Sequence, residues 1–96
     1  MTLAITILGC GSSGGVPRVG QGWGACDPDN PKNRRRRCSL LVERFGATEQ
    51  EKTTVLVDMG PDLRMQLLDH DVRYLDAILL THPHADHTHG IDDVRP

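Results

Sequence analysis

Residues 81–90 read Thr-His-Pro-His-Ala-Asp-His-Thr-His-Gly and follow directly on the apolar run Ala77-Ile78-Leu79-Leu80. Four of the chain's five histidines fall in that stretch. An apolar run that ends on imidazoles and a carboxylate predicts a strand whose tip presents metal ligands. Those donors are the ones that zinc, manganese or iron accept. Pro83 drives His82 into extended backbone, where side chains two apart point the same way. His82 and His84 are therefore expected to grip one ion together. A bend after Ala85 would turn Asp86 and His87 toward a second ion, and a water shared by two such ions is deprotonated near neutral pH. The competing reading, a surface histidine cluster, does not account for strand, spacing and ligand types together. Nor is this the helical His-Glu-x-x-His of zinc proteases, whose ligands are four apart. His89 lies outside the spacing and reads as a polar loop residue, and Gly90 fits the turn that closes the loop.

At 96 residues the chain makes one domain at most, or part of one. A chain this short buries roughly two-thirds of its unfolded surface, and only Trp23, Phe45 and Tyr74 are aromatic, so the core is thin. A net charge of -2 announces neither a nucleic-acid nor a membrane partner. Cys10, Cys26 and Cys38 are odd in number and irregularly spaced, which suits a reducing cytosol rather than a disulfide framework. No signal-peptide pattern is read, and no apolar run approaches the ~20 residues that span a bilayer. The expectation is a cytoplasmic protein without a membrane partner.

Alternation and β-branched content predict strands over residues 2–8, 38–45, 53–57 and 76–81, with a polar turn at 46–52. Gly60 and Pro61 open a helix, Pro61 at its first position and Asp62 at the positive end of its dipole. Leu63, Leu67 and either Leu68 or Met65 form its apolar stripe, and residues 69–73 end it. Strands come first and a strand–helix–strand unit follows, so the sheet is mixed with one main helix.

Residues 9–32 form a long irregular loop, of the length that is usually functional or disordered. Gly9-x-Gly11-x-x-Gly14 matches a dinucleotide fingerprint by letters. Gly15, Pro17, Gly20 and Gly22 prevent the helix that this fingerprint requires. The loop is either a tight turn or a close backbone approach to the site by Gly11, Ser12, Ser13 and Gly14. Lys32 and Arg34 to Arg37 gather five of eleven cationic residues. Such a run is either a solvated face or a phosphate grip, with Arg36 or Arg37, nearest the strand, facing inward. A nucleic-acid patch is a lesser candidate, because no interleaved aromatics offer stacking platforms.

His82-x-His84-x-Asp86-His87 resembles the signature of the metallo-β-lactamase fold, a set of αββα sandwich hydrolases. The resemblance extends along nearly the whole chain. Gly9-x-Gly11-Ser12-Ser13-Gly14-Gly15-Val16-Pro17, the Arg-Arg-Cys38-Ser39 step, Val57-Asp58-x-Gly60 and Asp86-His87-x-x-Gly90 look like the branch containing the phosphoribosyl cyclic phosphate diesterase of phosphonate breakdown. It implies that residues 1–96 are the N-terminal half of one α/β domain. His82 and His84 would ligate a first divalent metal and Asp86 and His87 a second, zinc or manganese, with Asp86 also handling a proton. Asp58 would hold a ligand histidine from outside the coordination shell. The implied activity is hydrolysis of a small cyclic or nucleotide-like phosphodiester, with RNA 3′ processing, thioester or lactone hydrolysis as other uses of the signature. A non-catalytic remnant that binds phosphates through its arginines is the reading from another class.

Two departures stand out. Relatives hold a structural zinc with several cysteines in the early loop, where this chain has only Cys26. The family's remaining histidine, aspartate and histidine ligands lie beyond the motif and are not in this sequence. Each ion would have two ligands where a hydrolytic zinc needs three. The second sheet is missing too, so one sheet face is expected to be bare. Such a fragment is expected to be inactive alone and to need its missing half or a second copy to fold.

Overall fold

The computed structural model describes residues 2–48 and 51–94. Four strands form one sheet in the order β1 (Thr2–Gly9), β2 (Ser39–Phe45), β3 (Thr53–Val57), β4 (Ala77–Leu79). The first two pairings are antiparallel and the third is parallel, with α1 (Leu63–Asp69) as the crossover. The mixed sheet and single main helix expected from the element order are what is observed. Single-turn 3-10 helices lie at Pro31–Asn33 and Ile91–Val94, and a one-turn helix, α2 (Ala85–Thr88), follows the last strand. Glu49 and Gln50 of the expected 46–52 turn lie outside the described residues. Gly46 N–H donates to the Glu51 carbonyl across it at 3.2 Å.

Period-two patterning sorts the sheet into two unlike faces. The row Thr6, Leu41, Leu56, Ile78 runs across all four strands and meets α1. The core is Leu8, Leu41, Leu56, Met59 and Leu63, with Leu67, Val72, Leu75, Ile78 and Val94 packed around it. On the opposite face run the rows Ile5, Val42, Val55, Ala77 and Ile7, Leu40, Val57, Leu79. No described element covers that face: Leu3, Ile5 and Ile7 are 62%, 61% and 67% exposed and Leu79 is 58% exposed.

The helix starts later than its sequence suggests. Pro61 stands in a turn, and the first helical residue is Leu63 with Asp62 as its cap. Asp62 makes no side-chain bond to the helix end. Its carboxylate instead accepts the Arg37 backbone N–H at 2.8 Å and Arg37 Nη1 at 2.9 Å. The inner stripe is also corrected. Leu63 and Leu67 pack inward, but the third member is buried Gln66, whereas Met65 and Leu68 face solvent. Gln66 earns the inward position through a polar contact, its Nε2 donating to the Arg37 carbonyl at 2.9 Å. Its Oε1 is buried without a hydrogen-bond partner.

The fourth strand is shorter than the expected 76–81, because Asp76 turns aside. Its backbone N–H donates to the Thr54 carbonyl and its carboxylate accepts the Thr54 N–H, at 2.8 and 2.7 Å. At the other end Thr81 leaves the ladder to bond Asp58. Among the described residues no helix is long and apolar enough to cross a membrane.

Candidate metal centre

β3 and β4 run parallel and end together, so Asp58 and Thr81 emerge at the same rim of the sheet. Asp58 sits there with φ 65°, a left-handed conformation that aspartate tolerates better than most residues. Its backbone N–H still donates to the Leu79 carbonyl at 2.8 Å, and its carbonyl accepts Ser39 Oγ–H at 2.8 Å. The buried carboxylate turns toward the histidine loop. There it accepts the Thr81 backbone N–H at 2.8 Å, the Thr81 hydroxyl at 2.8 Å and His87 Nδ1–H at 2.6 Å. Burial alone would raise the Asp58 carboxyl pKa. The Thr81 amide, His87 and the Thr81 hydroxyl outweigh it and hold the group below the usual carboxylate value.

The loop behaves locally as its sequence suggests. His84 is extended at φ -61°, ψ 147°, and the helical turn begins immediately after it at Ala85. This turn is the anticipated bend. The His82 and His84 rings meet edge to face with centroids 4.6 Å apart. The turn then brings the His87 ring within 4.1 Å of His82, and puts Asp86 Oδ2 at 3.0 Å from His87 Nε2. Two glycines make the seat. A Cβ on Gly60 would collide with the Asp86 carbonyl oxygen, and one on Gly90 with the Gly60 carbonyl oxygen. Met59 N–H donates to the His87 carbonyl at 2.9 Å and Gly90 N–H to the Met59 carbonyl at 2.7 Å, which locks the seat shut.

The four candidate donors thus share one site, although not as two separate pairs. The His82 ring lies closer to His87 than to His84. Among the described residues, no group of three or more His, Cys, Asp or Glu side chains stands arranged to hold an ion. Asp86 Oδ2 lies instead against His87 Nε2 at 3.0 Å. The donor chemistry nonetheless fits a cation. With the His87 proton on Nδ1 toward Asp58, Nε2 presents a lone pair to a carboxylate, and two acceptors 3.0 Å apart need a proton or a cation between them. His89 is exposed, as expected of a loop residue.

Arg36 and Arg37, nearest the strand, are half-buried as expected, and Arg34 is exposed. Arg36 Nη1 pairs with Asp69 at 2.7 Å, and Arg37 Nη1 pairs with Asp62 at 2.9 Å while its Nε donates to the Ser13 carbonyl at 2.9 Å. Both phosphate candidates are therefore engaged by carboxylates. Arg34 lies over the Trp23 ring at 5.3 Å. The Gly11–Gly14 stretch is fastened to the arginine run rather than to the histidines. Gly11 N–H donates to the Arg36 carbonyl at 2.7 Å, and Val16 N–H to the Arg35 carbonyl at 2.9 Å. Cys10, Cys26 and Cys38 are free and exposed. Sequence reasoning missed Thr81, whose position between an apolar strand and the first histidine was the available signal. It also missed Gln66 and the Asp62–Arg37 pair, which no local pattern announces.

Residues 53–96 match the family model described as a beta-lactamase superfamily domain. The chain is 43% identical over 89 residues to a Porphyromonas gingivalis protein named octanoyltransferase, a match covering 93% of this chain and 17% of that one. It is similar to the crystal structure of a diphosphatase of the PhnP family, at a TM-score of 0.85 and 42% identity over 99% of this chain and 35% of that one. It also shares its fold with Zn(2+)-bound PqqB from Methylobacterium extorquens, at a TM-score of 0.63 and 21% identity over 94% and 32% of the two chains. The chain therefore spans well under half the length of each of these relatives. Its four-stranded mixed sheet is that of a metallo-β-lactamase-like fragment.

Proposed function

We propose that this chain, part of a metallo-β-lactamase superfamily domain, carries the metal-binding strand ends of a divalent-metal-dependent phosphodiesterase. The observation that supports it best is the buried Asp58 carboxylate on His87 Nδ1 at 2.6 Å. Carboxylate–imidazole contacts of that kind fix the tautomer and orientation of metal-ligating histidines. His82, His84, Asp86 and His87 would hold two divalent cations, zinc or manganese, with the ligands still needed coming from the rest of the protein. When bound, the cations supply a water of lowered pKa and neutralise charge developing on the phosphoryl oxygens.

The chain's own residues do the positioning. Asp58 holds the His87 ring, and the Gly60–Gly90 seat fixes the turn that bears Asp86 and His87. Asp86 would hold or move a proton at the site, a role supported by its Oδ2 lying 3.0 Å from His87 Nε2. The substrate class is a small cyclic or nucleotide-like phosphodiester. Support comes from the 42%-identical relative described as a diphosphatase, which also acts at phosphorus. Octanoyl transfer is not carried over, since the match spans 17% of the protein with that name. The phosphate-binding remnant has less support, because Arg36 and Arg37 are already paired with carboxylates.

The test uses the full-length polypeptide and bis(4-nitrophenyl) phosphate. Chelation should abolish hydrolysis, and zinc or manganese should restore it. Asp86→Ala and His87→Ala should each lower kcat/KM by about a hundredfold or more and reduce metal content. Full activity and full metal content in both variants would refute the assignment.

A further inference from the structure

We propose that Thr81 is a positioning residue for His82, its hydroxyl relaying the Asp58 carboxylate so that one buried acid sets the tautomer of two histidines. A threonine hydroxyl has one proton to give and lone pairs to receive with. Thr81 Oγ1 lies 2.8 Å from Asp58 Oδ2 and 3.1 Å from Asp58 Oδ1. The carboxylate is an acceptor only, so the hydroxyl proton points at Asp58. The same oxygen is 2.8 Å from His82 Nδ1. Having given its proton away, it can only accept there, which requires the His82 proton to be on Nδ1. His87 is held in the same way without an intermediary, Nδ1–H to Asp58 Oδ2 at 2.6 Å.

The His82 Nε2 is then left with its lone pair, while His87 Nε2 faces Asp86 Oδ2 at 3.0 Å, on rings whose centroids are 4.1 Å apart. The Thr81 backbone N–H, donating to Asp58 Oδ1 at 2.8 Å, keeps the relay in register with the strand end. The consequence for metal binding rests on the function proposed above. The tautomer does not, because it is a property of the metal-free chain.

The experiment is nitrogen NMR of full-length, metal-free protein labelled at histidine, at about pH 8.5, above the ordinary histidine range. It is paired with zinc titration of the same samples. In the wild type, His82 and His87 should both carry the proton on Nδ1. Thr81→Val, which keeps the shape and removes the hydroxyl, should release His82 to a tautomer mixture and leave His87 unchanged. Zinc affinity should fall about tenfold. Thr81→Ser should retain the wild-type pattern. A wild-type His82 protonated on Nε2 would overturn the proposal, whether or not the valine variant folds. So would a valine variant in which His82 is unmoved, or in which both histidines shift together as a general loss of structure would cause. If the tautomers behave as stated but wild-type protein takes up no zinc, the relay stands and the metal-dependent reading falls.

Discussion

Asp58 concentrates three roles in one side chain: it ends β3 in a left-handed conformation, anchors Thr81 and orients His87. Non-glycine residues held at positive φ tend to persist where surrounding contacts over-determine them, and such places cluster at functional sites. Its lowered pKa has a consequence for stability. A carboxyl whose folded value lies below its ordinary 3.8 binds fewer protons folded than unfolded. Its contribution is therefore present above that ordinary value and is lost as pH falls through the lowered one. Asp58→Asn removes the titration and places an amide against the His87 and Thr81 donors, at a cost of about 2 kcal/mol near neutral pH. Urea midpoints of metal-free protein at neutral and strongly acidic pH should show the wild type losing more on acidification than the asparagine variant. Parallel losses would show that Asp58 carries none of the acid sensitivity.

Between elements, Arg37 acts as a staple. Its guanidinium joins the Ser13 carbonyl to Asp62, while its backbone is gripped on one side by Asp62 and on the other by Gln66. The staple fastens the glycine loop to the start of α1, and a side chain on Gly9 would collide with the Arg37 carbonyl. Arg37→Ala should raise hydrogen exchange of the Gly11 and Val16 amides about tenfold and leave the β2 and β3 amides unchanged. If Arg37 instead gripped substrate, exchange would stay as in the wild type and KM would rise.

The same contacts explain what could be read in advance. The strands were legible because alternation is a local signal; residues 53–57 match β3 at both ends. The bend after Ala85 was legible from Pro83 and ligand spacing. The late helix start and the inward Gln66 were not, because each depends on Arg37, a partner 25 to 29 residues away. That Asp58 holds one of the histidines followed from family likeness alone, and which one did not, since Asp58 and His87 are 29 residues apart.

For the whole molecule, the unequal sheet faces matter most. A contiguous apolar surface beyond a few hundred square ångströms is unusual on a monomeric protein, and here the rows through Ile5 and Ile7 cross all four strands. The 96-residue chain in isolation should bind a hydrophobic dye and self-associate, as measured by fluorescence and sedimentation. Ile5→Lys with Ile7→Glu should reduce both, and an unchanged dye signal would mean that this face is not what is exposed. Under the proposed function, the rim where β3 and β4 end is a metal centre. Anomalous diffraction from crystals of the full-length polypeptide soaked in zinc or manganese tests it most directly. Two peaks are predicted within bonding distance of the group His82, His84, Asp86 and His87. Crystals that take up the ion elsewhere, with those four side chains contacting none, would contradict it.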